Sequence, residues 1–210
     1  MPTVLCFGDS NTFGTPPMVH LEDKRRFGPD IRWPWVMRRA LGERWHLVEE
    51  GNPGRTTTRD DPDVGPHRNA TRVFPAILES HWPIDVMVFM LGTNDLKAVH
   101  GVAADTIAED IRGLITFAKG TGFVARTLLV CPPMVQERGC LAEVFAGAEA
   151  RGQGLADHIH AVAAKTGAAF FDANSVIATD PLDGVHFGPE AHDALGRALA
   201  DEVAKLMGAS

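Results

Sequence analysis

The run Ile84-Asp85-Val86-Met87-Val88-Phe89-Met90-Leu91 constrains this chain more than any other stretch. Every position after Asp85 is apolar, with none of the alternation of a sheet that turns one face to water. A strand of this kind is covered on both faces, as the central strand of a parallel sheet is. Four other short runs share its length and β-rich content: Thr3 to Phe7, Trp45 to Glu49, Thr127 to Cys131 and Ala168 to Asp172. Helical patterns lie between them. The clearest runs from Ala104 to Lys119, where Ile107, Ile111, Leu114, Ile115 and Ala118 recur at helical spacing. The last covers Pro189 to Met207, with Leu195, Leu199, Val203 and Leu206 on one stripe. Parallel neighbours need long crossovers, and a right-handed crossover packs its helix back onto the sheet. The expectation is therefore an α/β chain, a three-layer α/β/α sandwich around a five-stranded parallel sheet.

A length of 210 residues suits a single domain over 1–210, large enough to bury a core without disulfides or metals. No apolar run approaches the roughly 20 residues of a membrane helix, so no membrane association is expected. Twenty basic against twenty-seven acidic side chains give a net charge of −7, and Lys24-Arg25-Arg26 is the one short basic cluster. Nucleic acid is a poor partner for such a chain. The opening MPTVLCFGDS reads directly into a strand instead of a basic segment followed by an apolar one, and a cytoplasmic chain is the expectation. Cys6, Cys131 and Cys140 leave one thiol unpaired under any scheme and show no metal-ligand spacing. Reduced thiols are expected, with neither metal nor cofactor.

In open α/β sheets ligands bind outside the carboxyl ends of the strands. The segments that follow the runs are Gly8-Asp9-Ser10-Asn11, Gly51-Asn52-Pro53-Gly54, Gly92-Thr93-Asn94-Asp95, Pro132-Pro133, and the stretch leading to Asp183-Gly184-Val185-His186. Three long loops, Thr12 to Trp33, Arg55 to Ala70 and Pro132 to Gly147, leave strand ends on the same side, and loops of this length are usually functional or make subunit contacts. Serine occurs only at positions 10, 80, 175 and 210. Hydrolysis by a serine needs a hydroxyl, a histidine to take its proton, a carboxylate to hold that histidine, and donors for the oxyanion. Ser10 supplies the hydroxyl at the tip of the first strand. Asp183 and His186 are three apart, which lets the carboxylate reach Nδ1 while Nε2 faces elsewhere, and Gly188-Pro189-Glu190 then reads as a helix start that anchors their loop. Asn94 carries a side-chain amide donor. The backbone N–H groups of Ser10 and Gly54 are candidates to complete an oxyanion hole.

GDSN at Ser10, the glycine at Gly54, GTND at Asn94 and DGVH at Asp183 and His186 resemble, in order and across the whole chain, the four blocks of the SGNH/GDSL hydrolase superfamily. The resemblance implies a flavodoxin-like sheet, Ser10 as nucleophile, His186 as base oriented by Asp183, and an oxyanion hole from Ser10, Gly54 and Asn94. CFGDS, EEG with RTT and DDP, MLGTND with Lys97, and FFDA with the DG-HF segment are similar to the bacterial arylesterases with acyltransferase activity in that superfamily. That closer resemblance implies a serine esterase acting on short-chain acyl esters as small-molecule substrates, with acyl transfer to alcohols. It also implies a homo-oligomer, and its relatives include carbohydrate deacetylases. The second block reads GNPGRTT, with two glycines. Distance to Arg55-Thr56-Thr57 favours Gly54 as the donor, and Gly51 stays open.

Around these residues, Asp9, Asn11, Thr93, Lys97 and Trp33 are candidate substrate contacts. Asp9 is also placed to fix the turn by accepting backbone N–H groups, Lys97 to stand at the pocket rim, and Trp33, with Trp35 and Phe27, to line an acyl pocket, a subunit interface or the core. The remaining histidines read as surface or satisfied residues. His158 and His160 sit two apart, so a helix points them away from each other and they do not chelate one ion from one face. Two competing functions use the same sheet. A dinucleotide site wants GxGxxG after the first strand, whereas here Gly8 and Gly14 have the wrong spacing. A catalytically silent binding protein would keep the fold for its loops. An aryl ester and an acetylated sugar present the same small acyl group and differ on the alcohol side, which falls to the three long loops.

Overall fold

The apolar runs become the strands of one all-parallel sheet in the computed structural model, which describes residues 1–208. In chain order the elements are β1 (Thr3–Gly8), α1 (Ser10–Phe13), α2 (Trp33–Leu41), β2 (His46–Gly51), α3 (Ala70–His81), β3 (Ile84–Met90), α4 (Ala104–Thr121), β4 (Val124–Cys131), α5 (Ala148–Arg151), α6 (Leu155–Thr166), β5 (Ala169–Asp172) and α7 (Pro189–Gly208). The strand order is β2-β1-β3-β4-β5, so the chain reverses direction across the sheet beside β1. Such a reversal opens a crevice at the carboxyl edge.

Side chains along a strand alternate between faces, and β1 and β3 show how both faces come to be apolar. Leu5, Phe7, Met87 and Phe89 join a core with Phe74 of α3, Ile107 and Ile111 of α4 and Ile159 of α6. Val4, Cys6, Val86 and Val88 face the other way, into Trp33 and Met37 of α2 and Leu195, Leu199 and Val203 of α7. The continuous apolar run at β3 is thus two interleaved half-strands, one for each core. Each fully buried side chain of this size contributes about 1.5–3 kcal/mol. Phe7, Phe74 and Phe89 form an aromatic cluster with ring centroids 4.7 to 6.0 Å apart beneath the end of β1.

Register places the functional strand ends at one height. Gly8 pairs with Gly51 on one side and Met90 on the other. β2 reaches Gly51, two residues beyond the apolar run, because pairing with β1 carries it on. β4 likewise begins at Val124, three residues before its run, through pairing of Val124 with Ile84. α3 carries Pro75 in its interior, which weakens its helical signal; its start is secured by Asn69, whose side chain accepts from the Thr71 amide. Among the described residues no helix is long and apolar enough to cross a membrane.

Candidate active site

β1 ends at Gly8 because a side chain has no room there: a Cβ would stand 2.9 Å from the Met90 carbonyl oxygen and press into Thr12. Asp9 then caps α1, accepting from the Asn11 amide at 2.9 Å. Burial pushes the Asp9 carboxyl above its usual range, partly offset by the Asn11 amide and by His186, Arg55 and Lys97. Ser10 is the first residue of α1, so its own N–H is one of the unpaired amides of a helix start. Gly14 closes the turn in the left-handed region at φ 89°, a conformation glycine adopts without strain.

The opposite wall comes from the loop before α7. His186 Nδ1 is 2.6 Å from Asp183 Oδ2, and His186 Nε2 is 3.1 Å from Ser10 Oγ, across 176 positions of sequence. With Nδ1 carrying the proton, Nε2 is the acceptor for the serine hydroxyl. Asp183 is fully buried, and both oxygens are occupied: Oδ1 accepts from the amides of Val185 and His186, each at 2.9 Å, and Oδ2 also accepts from the Met18 amide at 2.7 Å. Burial by itself raises its pKa, but the His186 ring and these amides outweigh it and hold the carboxyl below the ordinary range. Gly184, at φ 72°, lies so close to the Gln136 carbonyl that a Cβ would overlap it, and the Gln136 amide donates to Gly184 O at 2.8 Å. Two of the long loops therefore brace this turn, one through Met18 and one through Gln136.

A third group of residues gathers at the ends of β2 and β3. Asn94 Nδ2 donates to Asp9 Oδ2 at 3.3 Å and to the Arg55 carbonyl at 3.1 Å, joining the strand-end segment of β3 to those of β1 and β2. The Arg55 guanidinium is buried, lies 4.2 Å over the Phe7 ring, and donates through Nη1 to Gly8 O at 2.9 Å and to Glu50 O. Burial pushes its pKa down to about 10. Asp95 is enclosed and accepts from the Thr57 amide, the Thr57 hydroxyl at 2.6 Å and Arg59 at 3.0 Å; burial raises its pKa to about 6. The spaced blocks RTT and GTND are thus two halves of one hydrogen-bonded joint. Gly54 takes φ 76°, and neither its amide nor that of Ser10 donates to another described residue. Gly51 is different: a Cβ there would run into the backbone of Thr12 and Phe13, so this glycine serves the packing of α1 on β2.

The structure thus brings together Ser10, Asp183, His186, Asn94 and the Gly54 turn. Trp33 departs from the expectation that it contacts substrate. It is fully buried in the α2/α7 core, because α2 begins at this residue and turns its indole onto β1. Asn11 points inward and donates to Val185 O at 3.1 Å, tying the serine helix to the histidine loop. Thr93 lines a cleft of about 320 Å³ with Cys131, Pro132 and Leu155. Lys97 lies 3.9 Å from Asp61, its side chain only 18% exposed. The sequence reading missed Arg55, the Met18 amide and His192. His192 is fully buried beside His186, accepts from the Trp33 amide at 3.2 Å, and is pushed down by burial to about 4. No local signal marks Met18, since only its backbone acts. His158 and His160 lie on α6, where His160 stacks on Phe170 at 4.8 Å.

The sequence profile of the GDSL-like lipase/acylhydrolase family matches residues 6–194. No curated protein sequence matches the chain. Among solved structures, the native aryl esterase of M. smegmatis is 37% identical, with a TM-score of 0.90 over 98% of this chain and 100% of that one. A carbohydrate acetylesterase from Sinorhizobium meliloti is 34% identical, with a TM-score of 0.90 over 98% and 100%. A carbohydrate acetylesterase family member from the same organism is 36% identical, with a TM-score of 0.91 over 99% and 100%.

Proposed function

Since the chain belongs to the GDSL-like lipase/acylhydrolase family and is a serine esterase, we propose that Ser10, His186 and Asp183 carry its chemistry on short-chain acyl esters. The observation that supports this most directly is the continuous relay from Ser10 Oγ through the His186 ring to Asp183. His186 Nε2 takes the hydroxyl proton as Oγ bonds to the ester carbonyl carbon. The carbonyl electron pair moves onto oxygen, where the free amides of Ser10 and Gly54 and the Asn94 side chain receive it. Collapse of this intermediate breaks the bond to the alcohol oxygen, which leaves with the proton held by His186. Water, or a second alcohol in acyl transfer, then resolves the acyl-enzyme by the same steps in reverse.

One feature supports a small acyl group: Ser10 is only 5% exposed. Acetylated carbohydrates are the second reading, favoured by the S. meliloti relatives. Ser10→Ala should abolish hydrolysis of p-nitrophenyl acetate and labelling by a fluorophosphonate. Retention of near wild-type turnover by pure Ser10→Ala protein would overturn the assignment. An acyl-length series beside acetate release from peracetylated sugars separates the two readings, and better turnover of butyrate than of acetate would refute the small acyl site. The three free thiols, two of them buried, support a reducing, cytoplasmic setting. Exposed Trp82, Phe117, Val19 and Leu21 support a homo-oligomer, which sedimentation equilibrium tests.

A further inference from the structure

Beside the Gly54 turn stands a pair of cations that the relay from Ser10 to Asp183 does not use. An atom at the Cβ position of Gly54 would lie 2.8 Å from Arg68 Nη1. Arg68 is held in place by its backbone: its carbonyl accepts from the Thr56 amide at 2.9 Å, where a bridge from Thr56 to Asn69 closes the loop between Arg55 and Ala70. Its side chain, in contrast, has no ion pair within 4 Å among the described residues, and the buried Nε has no hydrogen-bond partner. Lys97 enters the same region from beyond Asn94. Burial is the main cause that lowers its pKa, Asp61 offsets part of this, and Arg68 adds to it.

Asp61 is the one carboxylate that acts on both cations, while Asp9 and Asp95 act on Lys97 from further off. Asp61 Oδ1 is already engaged by the amides of Asp63 and Val64, and Oδ2 is 3.9 Å from Lys97, beyond direct hydrogen-bond distance. A partly buried guanidinium without an ion pair among the described residues, beside an ammonium 3.9 Å from its nearest paired carboxylate, is suited to an incoming anion, and a guanidinium offers a carboxylate or phosphate a paired set of donors. The location is the more telling because the chain as a whole carries −7.

We propose that Arg68 and Lys97 form an anion-recognising subsite beside the candidate oxyanion hole, so that the preferred substrates are esters whose alcohol part bears a carboxylate or phosphate. This rests on the esterase reading above, and the alcohol side follows from the short acyl group proposed there. The Arg55 to Ala70 loop then selects substrates by charge as well as by shape.

The test compares acetate release from 4-acetoxybenzoate and from its uncharged methyl ester, as the ratio of the two kcat/KM values. Measuring that ratio in wild type and in Arg68→Leu cancels the different leaving abilities of the two phenols. The ratio should fall by roughly tenfold or more in Arg68→Leu and in Lys97→Met, be partly retained in Arg68→Lys, and shrink in wild type as salt is added. A ratio unchanged by either substitution would overturn the subsite. A preference for phenyl hydrogen succinate over phenyl propionate, with none for acetoxybenzoate, would overturn its placement on the alcohol side. Calorimetry on Ser10→Ala protein supplies a readout independent of catalysis: 4-hydroxybenzoate should bind more tightly than 4-hydroxybenzamide, and equal affinity counts against the proposal. If wild type hydrolyses no ester at all, the esterase reading fails and this binding comparison decides the subsite by itself.

Discussion

Asn94 illustrates how much one side chain is asked to do at this site. Its amide nitrogen reaches Asp9 at 3.3 Å and the Arg55 carbonyl at 3.1 Å, and the first of these contacts is long enough to yield to a developing oxyanion. Asn94→Ala should lower kcat by about 10²- to 10³-fold with a smaller effect on KM, as loss of one oxyanion donor does elsewhere. Steady-state kinetics on p-nitrophenyl acetate check this, and a change confined to KM would assign Asn94 to ground-state binding instead. Arg55 acts one step removed. Its guanidinium joins the ends of β1 and β2 through Gly8 O and Glu50 O. Arg55→Met keeps the packing over Phe7 and leaves buried carbonyls without this donor, at a cost of about 2 kcal/mol, to be read from urea unfolding. The accompanying fall in kcat should show an unaltered pH profile, because Arg55 positions the turn and transfers no proton.

At the level of elements, the site depends on how closely α1 lies on the tip of β2. Gly51 permits this, and any Cβ there would meet the backbone of Thr12 and Phe13, which has no flexible end to move aside. Gly51→Ala should destabilise the fold by about 1–3 kcal/mol and shift Ser10 away from His186. Denaturant titration beside the rate of fluorophosphonate labelling tests both effects, and wild-type values in both would show that α1 does not rest on this glycine. The same closeness recurs at Gly184 against Gln136, so the loop with Asp183 and His186 is gripped by its neighbours instead of being held by its own short span. Catalytic geometry here belongs to the contacts between loops.

At the scale of the whole molecule, a dependence on pH comes from His192, enclosed between α2, Phe187 and the candidate active site. Its folded pKa is about 4, below the 6.5 of an exposed histidine. The unfolded chain therefore binds the proton more readily, and the stability that His192 contributes is full above about pH 6.5 and is lost as pH falls toward 4, while Asp95, whose folded pKa is raised to about 6, acts in the opposite sense over part of that window. The loss is on the order of 3 kcal/mol. His192→Leu should be less stable at neutral pH, because the Trp33 amide loses its acceptor, yet its Tm should decline less than that of wild type over this window. Parallel slopes for the two proteins would rule out His192 as the cause. The sequence by itself determined the five parallel strands, the glycine and polar tips that follow them, and the identity of Ser10, Asn94, Asp183 and His186 as candidates. Those features are written in local periodicity and short spacings, which survive without knowledge of what packs where. Tertiary structure decided the rest. It brought Ser10 within 3.1 Å of a histidine 176 positions away, drew the Met18 amide to Asp183, set Arg68 against Gly54 and placed Trp33 in the core instead of the site. Each of these outcomes turns on how long, irregular loops fold back over the sheet edge, where backbone groups make the contacts and no periodic pattern in the side chains announces them.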